Sequence, residues 1–281
     1  MRRLELYRAN RVISRGALIV FILAALVFFL LPIVWIGSIA FKSYLDTFAT
    51  PPKWLNFKPT LDGFRVAFRT RPIMRWMTNS LIISIGTTLL SLGLGVPAAY
   101  CFARGRFRGK RAAWSLILLT RVLPPIVLIM PIRMLMLRLG LFGSQLAVIL
   151  YSTTFNAAFA AWIMSGFFES IPVDIENCAK IDGCGPIRTF WHIAVPLAKP
   201  GIVTVALFAF IFSWNDFLGA LTLTNTYTAT LPIGIMGSVG QISVQWNVIA
   251  AISIITILPV MILAVALQRY YVSGLTLGAI K

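Results

Sequence analysis

The sequence predicts an all-α, polytopic membrane protein with six transmembrane helices, and three observations predict it. Mean hydropathy is +0.87. Only 12% of residues are charged, against about 25% in a typical soluble globule. Several apolar runs reach the roughly 20 residues that a helix needs to cross a bilayer. The basic residues behind the formal net charge of +17 cluster beside those runs. That placement orients helices in a membrane, and it argues against nucleic-acid binding.

Taken in order, the runs place spans at about 17–41, 79–103, 113–137, 141–167, 201–223 and 247–268. The first follows five arginines between Arg2 and Arg15 and exceeds the roughly 7–15 apolar residues of a secretory leader. An uncleaved first span is expected, with the triplet Ser38-Ile39-Ala40 leaving cleavage open. In the following loop Leu61, Phe64 and Phe68 share one helical face, and Trp76 stands where an interfacial anchor would. Much of that loop is expected to lie flat on the membrane. The second span carries "SLGLG" at Ser91–Gly95, whose small residues suit close helix packing better than a nucleotide cradle. The third carries Arg121 beside Pro124-Pro125, a pair expected to bend or loosen its helix. With no repeat and no low-complexity linker, the chain reads as one membrane domain, 1–281.

Six spans put both termini on one side. With the N-terminus cytoplasmic, inside segments carry fifteen basic residues and outside segments eight, which favours that orientation. The stretch 168–200 is then cytoplasmic. The loop 224–246, "TNTYTATLPIGIMGSVGQISVQW", is external and has no charge.

The stretch 168–200 resolves into two short helices. Pro172 suits a first helical turn and Gly183 a stop. Between them Ile175, Cys178 and Ala179 make one apolar face, and Glu176 and Lys180 form an i,i+4 pair of favourable polarity. After Gly185-Pro186, an apolar stripe of Ile187, Phe190, Trp191, Ala194 and Val195 runs up to Pro196. The residues alone allow two roles: a face packed on its own spans, or a knob docked into the groove of a cytoplasmic partner.

The hairpin resembles the EAA loop of importer-type ABC transporter permeases, E-A-A-x-x-x-G, nine residues, then I-x-L-P. This sequence supplies Asn177, Cys178 and Ala179, then Gly183, and after nine residues Ile193, Val195 and Pro196. Asn177, Cys178 and Val195 depart from the pattern, and Glu176 keeps a carboxylate one position early. "NSLIIS" at Asn79, "RVLPPIVLIMP" at Arg121, "FFESIP" ahead of the loop, "SWNDF" at Ser213 and "GLTLGAIK" at Gly274 resemble the second permease of maltose-type carbohydrate importers. The resemblance implies an importer-type permease in a prokaryotic plasma or inner membrane, forming half of a pathway for a carbohydrate or polyol. It implies as partners a second homologous permease, two ATPase subunits and an extracytoplasmic substrate-binding protein, all assembled in the lipid bilayer. ATP and magnesium would be held by those ATPases, with no cofactor in this chain. ATPase coupling would rest on Glu176, Asn177, Cys178, Ala179, Asp182, Gly183, Ile187, Phe190, Ile193 and Pro196. In related importers the outer loop carries a scoop that enters the binding protein's sugar cleft. Leu231, Pro232, Ile233, Gly234 and Ile235 would begin such a scoop here, within Leu231–Gly240, the alternative being a lid packed only on its own spans.

No catalytic set stands against this reading. Cys101, Cys178 and Cys184 lack a C-x-x-C spacing, and no G-x-x-x-x-G-K-[ST] phosphate loop occurs. His192, the single histidine, sits on the hairpin as a polar residue of a short helix. An arginine at a bilayer centre costs ~2.5–3.5 kcal/mol on insertion scales and normally faces a cavity or partner. Arg121, Asn215 and Asp216 are therefore either lining a polar path or snorkelling to the two surfaces. The alternatives from other classes are a membrane-embedded enzyme, for which Asp216 is the one acid within a span, and a structural membrane subunit.

Overall fold

The computed structural model describes residues 2–54, 56–237 and 244–277, with side chains described over 16–54, 56–237 and 244–268. Its elements are helices: α1 (Arg2–Ala40), α2 (Tyr44–Thr47), α3 (Asp62–Thr70), α4 (Ile73–Arg104), α5 (Lys110–Val122), α6 (Pro125–Arg138) and α7 (Gln145–Ser170). Then come α8 (Val173–Ile181), α9 (Pro186–Thr189), a π-helical turn at Phe190–Ala194 and α10 (Val195–Leu197). The chain continues through α11 (Lys199–Trp214), α12 (Leu218–Leu223), α13 (Leu231–Met236) and α14 (Trp246–Leu277). Among the described residues four helices are long and apolar enough to cross a membrane, or up to six if each of two bent pairs is one span.

The bends have local causes. Between α5 and α6 the axis turns by 100°. Pro124 and Pro125 supply no N–H donors there and push the residue before them out of the helical region. The expected third span, 113–137, is thus two helices. Between the α9–α10 arm and α11 the axis turns by 76° at Ala198, with Pro200 in the first turn of the new helix. The expected fifth span, 201–223, also breaks, because α11 ends at Trp214 and α12 starts at Leu218.

Contacts gather into two compact units, Met1–Arg71 with Ser238–Ile255 and Pro72–Gly237 with Thr256–Lys281. In the first, Ala40, Ala250 and Ala251 are buried with Phe64 packed against them. Gly63 of α3 lies so close to the α14 backbone that a Cβ would stand 2.7 Å from the Asn247 carbonyl oxygen. Phe64 therefore faces protein, while Leu61 and Phe68 stay exposed. Lys42 is buried with its Nζ 4.5 Å from the Trp35 ring and 5.1 Å from that of Phe57. Desolvation lowers its pKa from the ordinary lysine value, and Asp46 opposes that shift.

The second unit is built on α4 packed along α7, with α11 against both. Gly95 allows this approach: a Cβ there would meet the Ala160 Cβ and the Ala157 carbonyl oxygen at 2.5 and 2.9 Å. The expectation of close packing at "SLGLG" holds at Gly95, whereas Gly93 faces open space. One core joins Val96 and Ala99 of α4 to Met164 and Phe168 of α7, Phe190 and Ala194 of the π turn, and Val205 of α11. A second joins Ile83, Ile129, Met136, Val148, Tyr151 and Leu223. Trp76 is not an interfacial anchor. It is buried, and Gly234 lies directly over its ring.

Candidate functional site

Besides the buried Phe190 and Ala194, one carboxylate ties the hairpin to its own unit. Glu176, on α8, is 2% exposed. Its Oε1 accepts from Arg104 Nε at 2.8 Å and its Oε2 from the Tyr100 hydroxyl at 2.8 Å. Arg104, in the last turn of α4, also donates to the Ile171 carbonyl at 2.7 Å, so one guanidinium grips both α8 and the chain entering it. A cation suits that helix end, and a buried carboxylate needs such partners. The Tyr100 ring continues the attachment, with centroids 4.9 Å from Phe190 and 5.4 Å from Phe168.

This geometry redistributes the expected coupling residues. Glu176 does not pair with Lys180: the tertiary partners take it, and Lys180 donates to Asn177 Oδ1 at 3.2 Å instead. Ala179 and Phe190 are also buried, so they build the hairpin rather than offer a surface. Asn177, Cys178, Asp182, Ile187 and Pro196 are exposed and Ile193 is half-buried. Gly183 has φ +83°. It closes α8 as a left-handed cap, with its own N–H on the Lys180 carbonyl at 3.1 Å and that of Cys184 on Ala179 at 2.9 Å. The most exposed apolar side chains of the hairpin are Ile181 (85% exposed), Ile187 (75%) and Trp191 (57%), with Val173, Ile175 and Leu197 exposed to a lesser degree. Ile181 was missed, although it stands three positions after Cys178, on the side expected to be apolar. Arg104 and Tyr100 were missed too. His192 is exposed, with Nδ1 3.2 Å from the Arg188 carbonyl oxygen.

The three polar span residues come together. A cavity of about 500 Å³ is lined by Arg121, Asn215 and Asp216, with Ser152 and Asn156 of α7 and the aromatic side chains of Tyr151, Phe155, Phe212 and Phe217. Asp216 accepts from the Ser152 hydroxyl at 2.8 Å and from the Gly219 N–H at 3.0 Å. The Arg121 guanidinium lies 5.1 Å from the Phe159 ring centroid and forms no ion pair among the described residues. Asn156 donates to the Ser152 carbonyl at 2.9 Å, while its buried Oδ1 has no hydrogen-bond partner. Both interruptions, at Pro125 and at Asn215–Phe217, open on this space. Irregular backbone at membrane depth is tolerated where it lines a cavity. Among the described residues no group of three His, Cys, Asp or Glu could hold a metal ion.

The described part of the loop 224–246 folds back on the chain. Asn79 Nδ2 donates to the Tyr227 and Ala229 carbonyls, each at 2.9 Å, and its Oδ1 accepts from Gln145 at 2.7 Å. Ser80 accepts the Leu231 N–H at 3.0 Å, and the Thr228 hydroxyl reaches the Gly143 carbonyl at 2.8 Å. Of the expected scoop, Leu231 and Gly234 are therefore occupied inside the chain, because α13 packs on α4 through Trp76. Pro232, Ile233 and Ile235 are half-buried and Met236 is exposed. Residues 238–240 of that segment, and 278–281 of the C-terminal "GLTLGAIK", lie outside the described residues.

Comparison with known proteins follows the same lines. The pattern of the family described as "Binding-protein-dependent transport system inner membrane component" matches residues 91–276. The chain is 38% identical over 255 residues to the trehalose transport system permease protein SugB of Mycobacterium tuberculosis, covering 90% of this chain and 92% of that one. It is 36% identical over 253 residues to the sulfoquinovosyl glycerol transport system permease protein SmoH of Agrobacterium fabrum, covering 90% and 89%. Among solved structures, it resembles a chain of a bacterial ABC transporter involved in the import of the acidic polysaccharide alginate. There the TM-score is 0.77 at 22% identity, covering 94% of this chain and 98% of that one.

Proposed function

The chain belongs to the family of binding-protein-dependent transport system inner membrane components, the permeases of ABC transporters, and on that premise we propose that it forms half of the pathway of a carbohydrate or polyol importer. The observation that carries the reading is the cavity at the two helix interruptions. It combines aromatic faces, an amide, a hydroxyl, a carboxylate and a guanidinium, the groups that recognise a polyhydroxylated solute. Two of the relatives are permeases of trehalose and sulfoquinovosyl glycerol systems, which supports that substrate class.

Its partners in this proposal are a second, homologous permease across the pathway, two ATPases and an extracytoplasmic binding protein. Ile181, Ile187 and Trp191 meet a groove on one ATPase. Closure of the ATPases on ATP moves the hairpin, and the Glu176–Arg104 pair passes that motion to α4. The work is done by partner motion, not by chemistry in this chain. Both termini are cytoplasmic, a reading supported by the excess of basic residues on that side. In a cysteine-free background, Thr226→Cys should react with an impermeant maleimide added outside and Arg108→Cys should not. The opposite pattern would invert the orientation.

The decisive experiment is uptake by the reconstituted importer over a panel of trehalose, maltose, sulfoquinovosyl glycerol and free polyols, with ATP hydrolysis followed in parallel. One sugar should be imported and should stimulate hydrolysis through its binding protein. Import of an amino acid or an inorganic ion, with every sugar inert, would remove the carbohydrate reading while leaving the permease intact.

A further inference from the structure

Two of three cavities lie along shared sides of α5 and α7, while the narrowest turns to the opposite side of α7 from the outer one. The outer one is the 500 Å³ space at Arg121, Ser152 and Asn156. The narrow one, of about 230 Å³, lies between Gly95 and Ala98 of α4, Ile117 of α5 and Ala157 and Ala161 of α7. The third, of about 540 Å³, is lined by Lys110, Arg111 and Trp114 of α5 and by Trp162, Ser165 and Glu169 of α7. Positions 111, 114 and 121 fall on one side of α5, which serves the outer and the third cavity. From Arg121 to Arg111 is ten residues, or about 15 Å of helix.

We infer that the third cavity is a second carbohydrate station, which receives the solute on the ATPase side after it leaves the outer one. This rests on the proposal that the outer cavity lies on a sugar pathway. The chemistry of the lining selects the ligand class. Trp114 and Trp162 offer flat indole faces to the C–H faces of a sugar ring, and Phe102, 4.9 Å away between ring centroids, backs Trp114. Glu169 accepts hydroxyl hydrogens, while Arg111 and Lys110 donate to hydroxyl oxygens. Neither Glu169 nor Arg111 is spent on an ion pair among the described residues. A lipid phosphate would meet the two cations, but the same space presents the Glu169 carboxylate, which repels it. A neutral polyhydroxylated ring uses both signs. The volume falls in the range of ligand pockets, about 300–1,000 Å³.

Gly166, on the rim of the cavity, gives the handle, because a Cβ there meets nothing within 4 Å. Cys101, Cys178 and Cys184 are first replaced by serine. Gly166→Cys is then reacted with a maleimide from the ATPase side of the reconstituted, nucleotide-free importer. The sugar selected by the uptake panel should slow labelling by about tenfold at saturation, and Trp162→Leu should abolish that protection. Labelling that slows with phosphatidylglycerol in the vesicles and ignores the sugar would make the cavity a headgroup site and overturn the inference. Labelling indifferent to both would overturn it as well. A wild-type importer that takes up no sugar would bring down the pathway reading and this inference together, whereas import without protection removes the inner station alone.

Discussion

In the hairpin, Glu176 meets Arg104 and Tyr100 at 2.8 Å each, so its one buried charge is matched. In the cavity at the helix breaks, Arg121 and Asp216 share one space without an ion pair, and the Asn156 oxygen is unpartnered. Both regions lie in the same helical unit and both depend on α7. One is closed electrostatically, which suits a part that must transmit motion without deforming. The other keeps its donors and acceptors open, which suits a part that must hold a solute and release it. Substitutions should therefore hurt the fold at the first and transport at the second.

The largest effect is expected at the closed end. Arg104→Ala leaves Glu176 buried without its cation, a loss of about 3–5 kcal/mol in comparable buried pairs. Purified yield and the thermal midpoint of the complex should both fall sharply. Exchanging the partners, Arg104→Glu with Glu176→Arg, should recover part of the loss. A single Arg104→Ala variant as stable as the parent would break the contrast at its root.

Next comes the outward side of the same hairpin. Burying a large apolar side chain is worth ~1.5–3 kcal/mol, so Trp191→Asp should weaken capture of the ATPase by roughly tenfold to a hundredfold. The permease should stay folded, because Trp191 is exposed. Phe190→Asp should instead destabilise the permease itself, since that ring sits against Tyr100 and Phe168. Co-purification together with thermal unfolding separates the two, and identical behaviour would erase the distinction between the hairpin's two sides. A smaller effect belongs to Gly183, whose φ of +83° costs a residue with a Cβ about 1–2 kcal/mol. Gly183→Ala should lower the midpoint modestly, and Gly183→Asn less. A midpoint higher in the alanine variant would refute the left-handed cap.

What could be read from the sequence divides along the same line. Spans follow from composition and length, and the bend at Pro124-Pro125 follows from ring chemistry within the residues themselves. Arg121, Asn215 and Asp216 were legible because polar groups in apolar runs are expensive, and they do share a cavity. Ser152 and Asn156 were not, since small polar residues are ordinary in helices. The Glu176–Arg104 pair joins positions 72 apart, beyond any local rule. The local rule that paired Glu176 with Lys180 lost to it. Phe190 and Trp191 fall into one apolar stripe, yet neighbours on a helix stand about 100° apart, so one ring is buried and the other, touching it with centroids 4.9 Å apart, is exposed. The loop 224–246 has no charge, which calls for folding back on the chain or entering a partner and does not choose between them. The same lack of charge lets it pack on α4, where Asn79 and Ser80 satisfy its backbone.

The smallest effect on the fold, and the clearest on function, is expected for Arg121→Gln. The guanidinium touches ring faces rather than a carboxylate, so its removal strands no opposite charge. A cation over an aromatic face is worth about 0.5–1 kcal/mol where it is exposed, and glutamine keeps part of the packing. The thermal midpoint should therefore move little, and could rise, because an arginine within a span is costly in itself. Transport should respond differently. If Arg121 donates to a passing hydroxyl, its loss weakens the hold on the solute by about tenfold, the scale of one charge-assisted hydrogen bond. Uptake should then show a raised half-saturation at high binding-protein concentration, with assembly unchanged. Asp216→Asn supplies the control, because it replaces one of the two oxygens that accept from Ser152 and Gly219 by a donor NH2 and should lower stability as well as transport. An Arg121→Gln importer that is clearly destabilised would place this residue with the closed charges of the hairpin. One that is stable and fully active would remove it from the pathway.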